Sequence, residues 1–196
     1  MRAEKLKELE NIIEEMKVIR ELKGSTSYPR FLSNETRFYE LEHGIIRREK
    51  ILKNGKDGSA AIVLPFIDKE NVLLVVQPRV FTKRTVGVEL PAGYIEESET
   101  GKEAALRELK EETGYVPNEL ISLGALYQDE GCSAALNEFF IAFNCESKYN
   151  QNLDKDEYIK YFICTYKEAI ELMDMGYING ANSVIALERS KKYVKE

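Results

Sequence analysis

Cysteine is scarce and unpatterned, three residues in a chain of 196. Cys132, Cys145 and Cys164 form no CxxC pair and are odd in number. That speaks against a disulfide framework and a thiolate zinc site, and a reducing compartment is the natural one. Long apolar runs are missing too, since none approaches the ~20 residues needed to span a bilayer. Nor is there a basic excess: 28 Lys and Arg stand against 34 Asp and Glu, a net charge of −6. The chain therefore lacks the basic face that a nucleic-acid backbone requires. A small anionic substrate stays open, because clustered Arg and a bound cation can outweigh a global deficit. The single histidine, His43, falls in a predicted turn and reads as a surface residue. The opening residues mix charge with apolar groups at helical spacing, unlike a signal peptide. The expectation is a cytoplasmic protein, mature as it stands, with neither membrane nor nucleic acid as partner.

What is present describes an ordinary folded chain, 43% hydrophobic and 32% charged, long enough to bury a substantial core. From Met1 to Lys23 a stripe at steps of three and four (Leu6, Leu9, Ile13, Met16, Ile19, Leu22) predicts one helix, stopped by Gly24. After an irregular stretch, Ser25 to Asn34, strands are predicted at Arg37 to Leu41 and Ile45 to Leu52. Their turn lies around His43-Gly44. Ala60 to Ile67 and Val72 to Gln77 read as a hairpin across Asp68 to Asn71. Another strand covers Val86 to Leu90, and a strong helix runs from about Thr100 to Thr113. Strands follow near Leu120 to Tyr127, Leu136 to Asn144 and, after a polar loop, Tyr158 to Cys164. Helices begin near Lys167 and Ala181. The order predicts an α+β fold with helices packed on a central sheet.

The segment Leu90-Pro91-Ala92-Gly93 to Gly114-Tyr115 carries the chemistry. Pro91 and Gly93 predict a tight loop, Ser98 or Thr100 can cap the helix, and Gly114 ends it in a left-handed C-cap. On the helix Glu108, Glu111 and Glu112 stand at i, i+3 and i+4 and project from one face. Three like charges need an answer. A hard divalent cation with oxygen ligands offsets the repulsion and leaves room for phosphate. Arg107 is placed to pair with Glu99 and brace the loop against the helix. A bare E-x-x-E-E is most often a solvated face. Here the glutamates belong to a longer pattern: Gly93, five residues, Glu99, seven residues, then Arg107 to Tyr115. Seven fixed identities and two bulky apolar positions arise by chance in under roughly one chain in 10⁵.

That 23-residue pattern resembles the signature of the Nudix hydrolases, with Tyr115 a mild variant where an aliphatic residue is commoner. The resemblance implies an αβα sandwich with a mixed central sheet, an N-terminal helix and extra N-terminal antiparallel strands. Residues 1–57 would supply dimerisation and substrate contacts, and 58–196 the hydrolase domain. It implies Mg²⁺, with Mn²⁺ a substitute, held by Glu108, Glu111, Glu112 and the Ala92 carbonyl. Gly93, Glu99, Arg107 and Gly114 would be structural supports.

The flanks resemble the ADP-ribose and nucleotide-sugar pyrophosphatases of that family. Glu89 to Gly93 looks like the segment opening their box, and Gln77-Pro78-Arg79 like their Q-x-R element. Arg47-Arg48-Glu49 and the tail Asn179 to Leu187 look similar as well. The resemblance implies a homodimer with exchanged N-terminal strands and substrate contacts from Arg48, Glu49 and Arg79, although a surface ion pair is an alternative for Arg79. Two positions depart: Glu130 stands where a proline is common, and Ala135 where a glutamate is, with Glu138 displaced. ADP-ribose, cut to AMP and ribose 5-phosphate, leads. UDP- or GDP-hexoses, a nucleoside triphosphate and a non-catalytic ligand sensor are the alternatives. A general base is needed. The resemblance places it in the acidic loop before a late strand and implies Glu157 first, with Asp154 and Asp156 behind it and Glu111 and Glu112 beside it as catalytic carboxylates; a metal-side or solvated carboxylate is the alternative for Glu157. Tyr28, Phe31, Phe38 and Tyr39 could stack on a base, but aromatics near strands are more often core.

Overall fold

The computed structural model describes residues 1–22 and 31–194. In chain order the elements are α1 (Ala3–Met16), β1 (Leu32–Leu41), β2 (Gly44–Lys53), β3 (Ala60–Pro65), β4 (Asn71–Pro78), β5 (Val86–Glu89), β6 (Ala92–Tyr94) and α2 (Gly101–Thr113). Then come β7 (Tyr115–Val116), β8 (Glu119–Tyr127), β9 (Leu136–Phe143), β10 (Glu146–Ser147), β11 (Lys160–Thr165), α3 (Tyr166–Asp174) and α4 (Ala181–Ser190).

Two sheets form the centre. One is mixed, in the order β6-β3-β9-β8, with β3 parallel to β9. The other is antiparallel, in the order β11-β4-β5. β3 and β4 are nearly continuous apolar runs because both their faces are covered. The period of two sorts each strand between layers. Ala61 and Val63 of β3 meet Ala104, Ala105 and Leu109 of α2, together with Phe140 and Ala142 of β9. Ile62 and Leu64 point the other way, into the main core with Phe139, Ile141, Ala186 and Leu187. Small alanines on both sides let α2 lie close on β3. The helix that carries the glutamates is thereby fixed against a sheet centre. The expected α+β sandwich with a mixed sheet is what forms.

Three expectations are corrected. The first helix ends at Met16, not Lys23, because Lys17 turns extended (ψ 140) and the Val18 N–H donates to the Thr85 hydroxyl at 3.3 Å. Leu9 and Ile13 are buried, but Ile19 is 98% and Leu22 70% exposed. A stripe without a packing partner does not hold a helix. Gly24, its expected stop, and Tyr28 lie outside the described residues. Second, β3 and β4 do not pair as a hairpin beyond a single Phe66–Val72 bridge. Asp68 does make the turn, accepting from the N–H groups of Glu70 and Asn71 at 2.8 Å each. Both edges of β3 are taken by β6 and β9, and both edges of β4 by β11 and β5. Third, Gly93 lies in a strand and not in the expected loop: Ala92–Tyr94 pairs antiparallel with Ala60–Ile62 of β3, and Pro91 stands just before it.

β1 and β2 form their own ten-residue hairpin, Leu32 opposite Lys53 and Leu41 opposite Gly44, with His43 at its exposed tip. Phe31, Phe38 and Tyr39 are not core, being 51%, 69% and 47% exposed. All three thiols are free; Cys145 and Cys164 are buried and Cys132 half-buried. No helix among the described residues is long and apolar enough to cross a membrane.

Candidate active site

α2 is framed by local chemistry at both ends. Thr100 accepts from the Glu103 N–H while the Glu103 carboxylate accepts from the Thr100 N–H, a reciprocal capping box. Gly114 closes the helix at φ 78, the left-handed conformation that glycine takes without strain. A Cβ there would also lie 2.1 Å from the Tyr149 carbonyl oxygen. These caps place Glu108, Glu111 and Glu112 along a cavity of about 430 Å³. Ala92, Gly93, Arg79, Arg107, Asp154 and Glu157 line the same cavity. The cavity thus collects the glutamates, the β6 backbone just before their helix, and an acidic loop far along the chain.

Arg107 holds the loop before α2 to the helix. Its Nε and Nη2 donate to the Glu99 carboxylate at 2.7 and 2.9 Å, and Nη2 also donates to the Tyr94 carbonyl at 3.0 Å. Its Nη1 donates to Glu108 at 2.6 Å and to Glu111 at 3.0 Å. The bidentate pair holds the Glu99 carboxyl below its ordinary range. The Glu99 bond, with those to Glu108 and Glu111, raises the guanidinium in turn. The brace expected from the spacing is present, and it reaches two of the three glutamates.

Glu112 is the exception among them, 4% exposed. Its Oε2 accepts from the Ala92 N–H at 3.1 Å. Burial first, then the nearby Glu108 and Glu157 charges, push its carboxyl well above the usual range, with that N–H and Arg79 opposing. Glu108 is also raised by burial, against the pull of Arg107. Its carboxylate lies on the Gly93 backbone, where a Cβ would sit 2.0 Å from its Cδ. Only glycine admits that approach.

Among the described residues no three His, Cys, Asp or Glu side chains converge as a ready metal-binding group. Arg107 stands between Glu108 and Glu111 as their shared counter-charge, so the glutamates are adjacent without being gathered on one point. The donor set nevertheless suits a hard cation: carboxylate oxygens around one cavity, the most buried of them costly to ionise alone.

Arg79 lines the cavity and makes the ion pair that was its alternative reading. Nε and Nη2 donate to Glu89 at 2.8 and 2.6 Å, and that pairing raises its guanidinium despite burial. Asp154 and Glu157 reach the cavity, whereas Asp156 is not on its wall. The Glu157 carboxylate accepts from the Asp154 N–H at 3.1 Å. Arg48 and Glu49 are not brought to the cavity. They stand on the exposed β2 strand, where Arg48 donates to the Arg47 carbonyl and Arg47 pairs with Glu49. Sequence reasoning missed Asn137, Asn182, Tyr94 and Lys53 on the cavity wall. Asn137 had a signal: an amide in the middle of an apolar strand, 1% exposed, must have a partner. Ala135, the departing position, is buried, and the Glu138 carboxylate lies beside Gly101 at the start of α2.

Residues 56–184 match the NUDIX domain family. The ADP-ribose pyrophosphatase of Bacillus subtilis (strain 168) is 31% identical over 150 residues, covering 76% of this chain and 79% of that protein. The methanol dehydrogenase activator of Bacillus methanolicus is 28% identical over the same coverage. A crystal structure of an ADP compounds hydrolase superposes with a TM-score of 0.71 at 22% identity, covering 87% of this chain and 90% of that one, and it supports the fold. With the family match extending over more than half of its residues, the chain belongs to the Nudix family and is a hydrolase related to the ADP-ribose pyrophosphatases.

Proposed function

We propose that this enzyme hydrolyses the pyrophosphate bond of a nucleoside diphosphate sugar, with Mg²⁺ as cofactor, and that ADP-ribose is its substrate. Water adds across the P–O–P bridge, so that ADP-ribose gives AMP and ribose 5-phosphate. The substrate assignment is supported by the relative named for that activity. The reaction class is supported most by one observation: a buried Glu112 carboxylate shares its cavity with Glu108, Glu111 and a guanidinium.

Glu108, Glu111 and Glu112, with the Ala92 carbonyl, would hold the cation, and Mn²⁺ would substitute. When bound, the cation offsets the negative charge that develops on the phosphoryl oxygens. Arg107 keeps Glu108 and Glu111 at fixed positions by way of Glu99. Arg79, anchored through Nε and Nη2, keeps Nη1 for a phosphate oxygen, a charge-assisted contact. Glu157 is proposed to take the proton from the attacking water; it lies on the cavity wall near Glu108 and Glu112. A cytoplasmic homodimer completes the proposal, with the β1–β2 hairpin of one copy bringing Arg48 and Glu49 towards the other's cavity.

Turnover of ADP-ribose, UDP-glucose, GDP-mannose and a nucleoside triphosphate, each with Mg²⁺ and with EDTA, tests this reading. ADP-ribose should be cut fastest, EDTA should abolish turnover, and Glu112→Gln should lower it by on the order of 10²-fold or more, the scale of losing one preorganised charge in a dry site. Undiminished turnover in EDTA, or by the variant, removes the metal assignment. A UDP- or GDP-hexose or triphosphate preference replaces ADP-ribose while leaving the chemistry.

A further inference from the structure

On the cavity wall two asparagines stand in series. Asn137 in β9 is 1% exposed, and its Oδ1 accepts from the Ala60 N–H at 3.0 Å. A backbone N–H can only donate, so this contact fixes which way the Asn137 amide faces. Its Nδ2 must then point onward, and it donates to Asn182 Oδ1 at 3.1 Å. The second amide is oriented by the first. Asn182 Nδ2 has no acceptor among the described residues, and Asn182, half-buried on α4, lines the cavity with Arg79 and Glu112. The polarity of the pair is therefore set by the sheet backbone, and its outer end is a donor held ready in place.

We propose that Asn182 is a substrate-recognition residue whose amide N–H donates to a phosphate oxygen of the nucleotide, with Asn137 as its positioning residue. This rests on the pyrophosphohydrolase reading of the cavity. The cation that Glu108, Glu111 and Glu112 would hold answers only the phosphate oxygens next to it, so the other oxygens of a diphosphate, in a cavity that also carries Glu157, need donors elsewhere on its wall. Arg79 is one such donor, and Asn182 is a neutral one whose orientation needs no counter-charge. An amide that hydrogen-bonds a phosphate also discriminates against ligands lacking the acceptor, because burying the donor unpaired is costly.

Calorimetry of AMP, ribose 5-phosphate and adenosine binding, alongside kinetics with ADP-ribose, decides it. Asn182→Ala should raise KM on the order of tenfold or more, the scale of a hydrogen bond to a charged group, with a much smaller fall in kcat. The same variant should weaken one of the two phosphate-bearing products similarly and leave adenosine unchanged. Asn182→Asp, placing a carboxylate at that oxygen, should be worse than Asn182→Ala. Asn137→Asp keeps the acceptor for Ala60 but no longer donates to Asn182. Its effect on KM should be in the same direction and should vanish in the Asn182→Ala background. Unchanged binding of both phosphate products in a folded Asn182→Ala protein overturns the inference, as does equal weakening of adenosine. If the wild type cuts none of the four panel substrates, the parent reading fails, and the binding of AMP and ribose 5-phosphate still judges Asn182.

Discussion

Burial acts on acidic groups in two places here, with different consequences. At Glu112 it raises the carboxyl in a cavity with like charges around it, the arrangement that marks functional sites. At Cys145 and Cys164 it merely removes thiols from water in the core. Each is pushed up to about 12 from an ordinary 9.0, chiefly by burial. The sign comes from linkage: the folded thiols stay protonated where the unfolded ones ionise. Their contribution to stability is full below pH 9 and is lost as pH rises towards 12. Between pH 9 and 10 the loss should approach about 1.4 kcal/mol per thiol at most. Urea unfolding across pH 8 to 10 for the wild type and a Cys145→Ala/Cys164→Ala double variant would show it, because the variant's slope should be shallower. Parallel slopes would mean that the thiols are not protected from water as the packing implies.

Among the elements, α2 depends on a later stretch of chain to close its C-terminal end. Its last carbonyls are met by the segment 148–152: Lys148 and Tyr149 N–H donate to the Gly114 carbonyl at 3.1 Å each, and Asn152 N–H to that of Glu111 at 2.9 Å. The Gln151 side chain donates both to the Glu112 carbonyl and, at 3.2 Å, to the Ile159 carbonyl. One amide thus ties the glutamate helix to the far end of the acidic loop that holds Glu157. Gln151→Ala should cost about 1 kcal/mol of stability, and kcat should fall several-fold, by more than KM changes, as Glu157 loses its tether. Melting curves and steady-state kinetics measure both. Full kcat in the variant would show that the loop is positioned without Gln151. This same helix was legible in the sequence, with Gly114 as its stop and Ser98 or Thr100 as its cap, because capping is local; Thr100 is the cap, and the reciprocal Glu103 bond was not foreseen. The glutamate row and its Glu99–Arg107 brace were legible for the same reason. Strand pairing was legible only in part: the β1–β2 hairpin around His43-Gly44 was, the partners of β3 and β4 were not. An apolar run, an Asp turn and a second run read alike whether the runs pair or part, and β3 and β4 parted because other strands, β9 and β11 from far along the chain among them, occupied their edges. The Asn137–Asn182 pair was hidden similarly, its members 45 residues apart and adjacent only once α4 lies on the sheet.

At the scale of the whole molecule, the β1–β2 hairpin is unfinished. Its register puts Leu32, Phe38, Ile45 and Ile51 on one face, 57%, 69%, 72% and 40% exposed, around the Arg47–Glu49 ion pair on that same face. An isolated two-stranded hairpin is marginal in water, and an exposed apolar face of this kind marks an interaction surface. Arg48 and Glu49 on the same hairpin sit away from their own chain's cavity. The homodimer proposed above would account for both facts, its second copy covering that face and receiving the charged residues. The double variant Phe38→Glu/Ile45→Glu, with charges on that one face, should therefore shift the protein to a monomer in sedimentation. It should also raise KM for the nucleotide several-fold, while the Nudix core, which does not use those side chains, melts unchanged. A wild type that sediments as a monomer would leave the hairpin without this role. A monomeric variant with unaltered KM would separate assembly from substrate binding, and the Arg48 and Glu49 contacts would then have to be given up.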